Sequence, residues 1–379
     1  MRGCMKKYIL TVCLMMSFLL LTGCGRKKNT NPLVSPTPQP TAPIESEQPS
    51  PTIAETEDGT NADRKDTWTI ADFYPALEDM EYVYKGVGME YASFTVFMDY
   101  FDKDTNRYQT RTDNGGTVTA KVMEIKDGKL SVIKSVGEAY YRDNLLDTEA
   151  EKDVEVLLME PLVRGTRWTL PDGSERYISN INVKVETDLG TYDAIEVKTE
   201  GTDSTTKDYY SPGVGLIKSI FRSEEYEVSS TLSEIKTNTP YKLAVDFYYP
   251  EQDEKIHVVQ KEITFHTNDV TRLVLEKAVK EKVLNNNYVP LISTNTKINS
   301  MYLGKDHIVY VDFSKELIEE MEAGSGFEQL ILQSITNTLG SYYGVKEVCI
   351  TVDQKPYESG HILLKEGETL KVNMDLVVR

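Results

Sequence analysis

Gly304-Lys305-Asp306-His307-Ile308-Val309-Tyr310-Val311-Asp312-Phe313-Ser314 is the stretch on which the reading of the C-terminal third turns. Gly304, Lys305 and Asp306 have turn chemistry, and His307 to Phe313 alternates in the manner of a strand with one buried face. Together with a strand over 297–303 this predicts a β-hairpin. Downstream, Phe327, Leu330, Ile331, Ile335 and Leu339 recur at helical spacing, which predicts a helix over 326–339 that stops at Gly340. The chain then returns as strands over 345–352, 362–364 and 370–378. Upstream, strands over 243–248 and 256–265 flank a turn at 250–253. Asn268 or Asp269 then caps a helix reaching about Leu284, with an apolar face of Val270, Leu273, Val274, Ala278 and Leu284. The expectation for 241–379 is a small α+β domain, a sheet with two packed helices.

Residues 67–237 have a different texture. Segments 89–100, 116–125, 129–135, 178–187, 190–200 and 215–223 are rich in β-branched and aromatic residues with rough period-two alternation. Asp127-Gly128 and Asp188-Leu189-Gly190 supply tight turns, because glycine reaches positive φ without a steric penalty. No long helical pattern intervenes to carry parallel crossovers, so the expectation is an antiparallel β domain. It contains no His and no Cys.

Farther upstream, 24–66 is a tether. Pro32, Pro36, Pro38, Pro40, Pro43, Pro49 and Pro51 alternate with Thr, Ser, Gln and Glu, and so few bulky apolar residues cannot build a core. Fully extended, such a chain reaches about 130 Å. Residues 1–23 have the layout of an export signal: Arg2, Lys6 and Lys7, then the uncharged apolar run 8–21. As a helix that run would measure about 21 Å against about 30 Å of membrane hydrocarbon, too short for a permanent span.

Three resemblances add to this reading. Leu21-Thr22-Gly23-Cys24 resembles the lipobox of bacterial lipoproteins, which implies recognition of Leu21, Thr22 and Gly23 by a signal peptidase and a diacylglyceryl lipid on Cys24. Gly165-Thr166-Arg167-Trp168, the stretch 178–192 and Tyr209-Tyr210-Ser211-Pro212-Gly213-Val214-Gly215-Leu216-Ile217 resemble a module of lipoproteins from spore-forming bacteria. The C-terminal region resembles the GerMN domain of sporulation and germination lipoproteins. The matching segments are Ile308 to Ser314 with Glu316-Leu317, the helix with Ser334-Ile335-Thr336-Asn337-Thr338-Leu339, Gly344-Val345-Lys346-Glu347-Val348, and Val352-Asp353-Gln354-Lys355-Pro356. That resemblance implies a compact α+β domain acting by protein contact. The family's best-known example carries two such domains, whereas this chain has one copy beside a different sheet module.

Composition narrows the functions. The net charge is −18, and loss of Arg2, Lys6 and Lys7 with a signal makes it more negative by three, so nucleic acid is not expected as a partner. Cys4 and Cys13 would leave with the signal and lipid would consume Cys24. Cys349, in the apolar run 348–352, is then expected to be a lone buried thiol. His257, His266, His307 and His361 show no metal-ligand spacing, and Gly324-Ser325-Gly326 reads as a flexible helix entry rather than an anion site. No catalytic residue, cofactor or metal is expected. The expectation is a lipid-anchored extracytoplasmic protein on the cell membrane, not an enzyme, whose partners are the membrane and envelope or sporulation-assembly proteins. The alternative is a lipoprotein that binds a lipid or apolar ligand in its middle β domain.

Overall fold

Asp127 and Gly128, with φ of 50° and 67°, join β4 (Val118–Lys126) to β5 (Lys129–Val136), and Gly190, at φ 117°, joins β8 (Glu175–Thr187) to β9 (Gly190–Glu200), so both expected hairpins form. The structure, a computed structural model, describes residues 68–281, 287–321 and 323–378. The readings for the export signal, Leu21 to Cys24, the tether and Leu284 lie outside the described residues. No helix among the described residues is long and apolar enough to cross a membrane.

One antiparallel sheet of twelve strands takes up the first part. Its order is β6-β5-β4-β3-β2-β1-β12-β11-β10-β9-β8-β7, two meanders joined where β1 (Glu81–Val87) pairs with β12 (Glu227–Lys236). Besides these and the hairpins above, it contains β2 (Phe94–Asp102), β3 (Arg107–Asp113), β6 (Glu155–Met159), β7 (Arg167–Thr169), β10 (Ser204–Ser211) and β11 (Gly215–Ser223). The sheet curls until its two edge strands meet through side chains. Trp168 of β7 donates its indole Nε1–H to the Val156 carbonyl of β6 at 3.0 Å, and Arg176 reaches the same carbonyl at 2.9 Å and Glu155 at 3.0 Å. Exposed edges invite pairing with other chains, and this closure covers part of both. Inside the curl, Met123, Leu130 and Leu158 from one side pack with Ile178, Ile195 and Tyr210 from the other.

Six of these strands, β1, β3, β6, β7, β10 and β12, were not foreseen. In β3 the reason is explicit: Gln109 and Arg111 are buried on the face opposite Tyr108 and Thr110, so both faces are covered and the apolar alternation disappears. The strand expected from residue 89 begins at Phe94, because Glu90–Ala92 forms a 3-10 turn.

The second part has two small sheets around one long helix. Strands β13 (Tyr241–Pro250) and β14 (Ile256–Phe265) form a hairpin beside β20 (Val377–Val378). Strands β15 (Ile298–Leu303), β16 (Ile308–Phe313), β17 (Glu347–Val352), β18 (Lys355–Pro356) and β19 (Leu370–Lys371) make the other sheet, with β16 and β17 parallel. Helix α3 (Ser325–Tyr343) crosses between β16 and β17, and short α2 (Glu316–Glu319) precedes it.

The apolar stripe expected of α3 is buried at Leu330, Ile331, Ile335 and Leu339, but so are Ser334, Thr336, Asn337 and Thr338, because the helix is covered on most sides. Three of these four polar side chains are hydrogen-bonded, while the Ser334 hydroxyl has no partner among the described residues. Thr338 Oγ1 accepts the Tyr248 amide at 3.0 Å, and Asn337 exchanges two hydrogen bonds with the Asn373 backbone at 2.7 and 2.9 Å. That exchange splits the expected closing strand 370–378 into β19 and β20. The helix also runs past Gly340 to Tyr343 and is capped by Gly344 at φ 67°. Gly340 is instead a close-approach position, where a Cβ would lie 2.2 Å from Val372 Cγ2. The expected strand at 362–364 reduces to a single bridge between Glu358 and Leu363.

Helix α1 (Thr271–Lys280) is turned from its expected face. Thr271, Leu275 and Ala278 are buried, whereas Val270 and Leu273 stand 49% and 48% exposed. The rotation follows from Thr271, whose hydroxyl is hydrogen-bonded to Tyr100 of β2 at 2.9 Å and fixes the helix start against the large sheet.

Candidate functional site

The described residues fall in one compact unit, and its two parts are pinned together at Arg142. This side chain is fully buried between Tyr100 and Phe265, with its guanidinium carbon 4.0 and 5.0 Å from the ring centres. It donates to the Tyr100 hydroxyl and Asp99 carbonyl of the large sheet, both at 2.7 Å. On the other side it donates to the carbonyls of Asp269 and His266 at 2.6 and 2.9 Å. Its Nε faces the Asp99 carboxylate at 3.5 Å as a charge contact without hydrogen-bond alignment. Asp99 is paired also with buried Arg111 at 3.0 Å. The Arg142 backbone exchanges hydrogen bonds with the Tyr342 hydroxyl of α3, each 3.0 Å. Burial pushes the Tyr100 hydroxyl up to about 12, so it stays neutral as acceptor and donor.

Around this pin, residues 266–269 dock on β2. Asn268 Oδ1 accepts the Phe101 amide at 2.8 Å, and Thr267 donates to the Met98 carbonyl at 2.8 Å. His266 Nδ1 lies 2.6 Å from Asp79. The Asp79 hydrogen bond holds the His266 imidazole above its usual range. Burial opposes the Asp79 charge, yet hydrogen bonds from His266 and Thr267 outweigh it and hold the carboxyl below its usual range. The raised His contributes fully below about pH 6.5 and loses its contribution as pH rises through the folded value, while the lowered Asp loses its own as pH falls below about 4. His266→Gln is therefore expected to lower Tm more at pH 5.5 than at pH 8.5. The excess should be at most about 1 kcal/mol, since the imidazole is 58% exposed. Melting curves at the two pH values check this.

The other residues singled out from sequence are scattered. Cys349 is buried, and burial pushes its thiol up, as expected of a structural cysteine. At Gly324-Ser325-Gly326 the first turn of α3 holds buried Glu328, which accepts hydrogen bonds from Tyr357 at 2.8 Å and from Ser359. An anion entering there would meet that carboxylate. No imidazole among the described residues is hydrogen-bonded to a hydroxyl or thiol side chain. One grouping escaped the spacing rules: the turn after β13 brings Glu251, Asp253 and His257 together, with ligand atoms within 4.8 Å of one another. His257 Nε2 lies 2.8 Å from Glu251 and 4.0 Å from Asp253, without hydrogen-bond alignment to either.

The curled sheet also forms an open-sided cavity of about 380 Å³, within the range of small-molecule sites, about 300–1,000 Å³. Tyr82 and Tyr84 of β1 lie opposite Val96 and Phe94 of β2, and Tyr84 stacks on Phe94 at 4.4 Å. Val96 and Met98 lie opposite Thr112 and Thr110 of β3, and Thr110 lies opposite Lys121 of β4. All eight therefore share one face of the sheet. The aromatic run 94–101 divides at a bulge between Met98 and Tyr100: Phe94, Val96 and Met98 line the cavity, while Tyr100 packs against Val122 and Ile133 on the other face.

Comparison with known proteins adds the following. Residues 246–358 match the Germane family, described as sporulation and spore germination. No curated protein matches the chain. Among solved structures, the tandem GerMN domains of the sporulation protein GerM from Bacillus subtilis match at 20% identity, over 33% of this chain and 45% of that one, with a TM-score of 0.27. This chain thus spans less than half of that tandem protein. The first GerMN domain alone matches at 21% identity, over 32% of this chain and 94% of that one, with a TM-score of 0.26. A protein of YmcC-like fold from Bacteroides fragilis matches at 13% identity, over 44% of this chain and 99% of that one, with a TM-score of 0.30. The chain carries a Germane domain at residues 246–358, preceded by a β-rich region.

Proposed function

We propose that this chain is a lipid-anchored protein of the extracytoplasmic face of the cell membrane, which acts by protein contact as a non-enzymatic assembly factor in sporulation or spore germination. The Germane match at 246–358 is the observation that carries this reading. The sequence before the folded unit supports it: Leu21-Thr22-Gly23-Cys24 offers a lipid acceptor, and the Pro-rich stretch 24–66 gives the folded unit reach from the membrane. The domain also presents apolar side chains to solvent, Val270 just before α1, Leu273 on it and Tyr302, 51% exposed, on edge strand β15.

A photo-crosslinking amino acid at Leu273 or Tyr302, introduced into the full chain in sporulating cells, is expected to give a discrete protein adduct. No adduct at either position, together with unchanged sporulation and germination on deletion, would sink the proposal.

A further inference from the structure

The geometry points to the cavity of the curled sheet as a binding site for the acyl chain of an anionic amphiphile, with Lys121 meeting its charged head. This goes beyond the contact role proposed above and does not depend on it. The walls supply the apolar part: Tyr82, Tyr84, Phe94, Val96, Met98 and Met123 present aromatic and aliphatic surface to a space that the protein's own side chains leave unfilled. A mostly apolar pocket of about 380 Å³, open to solvent on one side, is of a size that takes a small molecule.

Lys121 supplies the polar part. It lies on the cavity wall, half-buried, next to Thr110 and Thr112, and no carboxylate among the described residues pairs with it. An unpaired ammonium beside an apolar cavity, in a protein of net charge −18, selects a carboxylate or phosphate carried on a chain rather than a neutral hydrocarbon.

The test uses full-length protein carrying Cys24→Ser, so that no acyl chain of its own competes. Oleate and oleyl alcohol, which differ only in the head, are titrated calorimetrically. Both are expected to bind, oleate the more tightly. Lys121→Glu should weaken oleate at least about tenfold and leave oleyl alcohol within about twofold, whereas Thr112→Trp should block both by filling the space. Equal melting temperatures of the variants exclude misfolding. Lys121→Gln gives a second, isosteric reading of the charge. Native mass spectrometry of the protein incubated with phosphatidylglycerol vesicles separates the sources. A retained phospholipid assigns the site to a membrane lipid; oleate binding without retained phospholipid assigns it to free fatty acid. No binding of oleate and no retained phospholipid overturns the proposal, as does an oleate affinity that Lys121→Glu and Lys121→Gln leave unchanged.

Discussion

Arg142→Ala is expected to destabilise the folded unit by about 3–5 kcal/mol, the cost typical of removing one partner from a buried, hydrogen-bonded charge network. The loss has identifiable parts. The buried Asp99 carbonyl and Tyr100 hydroxyl and the partly buried carbonyls of His266 and Asp269 lose a charged donor, and Asp99 keeps only Arg111 as its cationic partner. A cavity replaces a guanidinium stacked on Tyr100 and Phe265. Because these acceptors come from both parts of the molecule, the variant should also uncouple them. Denaturant unfolding followed by tryptophan fluorescence reports the large sheet, which holds Trp168 and against whose core Trp68 packs, and can be set against far-UV circular dichroism of the whole. One coincident transition is expected for the parent, and two separated ones for the variant. Arg142→Lys should rescue little, since an ammonium cannot serve acceptors on two sides at once. A loss below about 1 kcal/mol with a single transition would mean that the junction is held by something else.

How much of this was legible in the sequence depends on what each residue does. The α+β character of the C-terminal region, the hairpin 298–313 and the long helix α3 followed from apolar periodicity, because those residues bury apolar faces. The large sheet was legible as antiparallel and β-rich, but half of its strands were not. Strands such as β10 and β12 are built largely from Ser, Thr, Lys and Glu, with inward faces that period-two counting underrates. The rotation of α1 was illegible for a different reason: Thr271 answers to Tyr100, a residue 171 positions away, and no local pattern records that contact. The junction shares this character. Arg142 lies between strands in a stretch without marked hydrophobicity, and only the fold reveals its acceptors. The cavity was half-legible, since the aromatic run 94–101 was visible while its division between two faces required the register with β1 and β3.

Cys24 is where the proposal about place is decided. Two acyl chains, each adding about 0.8 kcal/mol per buried methylene, make a lasting attachment that the acidic folded unit cannot make by charge, because it is repelled by anionic headgroups. Full-length Cys24→Ser is therefore expected to lose membrane association almost entirely, since the apolar run 8–21 is too short for a permanent span and the chain's net charge is negative. The most direct measurement is fractionation of cells expressing the parent or Cys24→Ser, with washes at high salt and at alkaline pH. The parent should remain in the membrane fraction through both washes and incorporate labelled fatty acid, while the variant should appear in the soluble or released fraction without label. A Cys24→Ser protein that stays with the membrane to the same extent as the parent would contradict a lipid anchor at this residue.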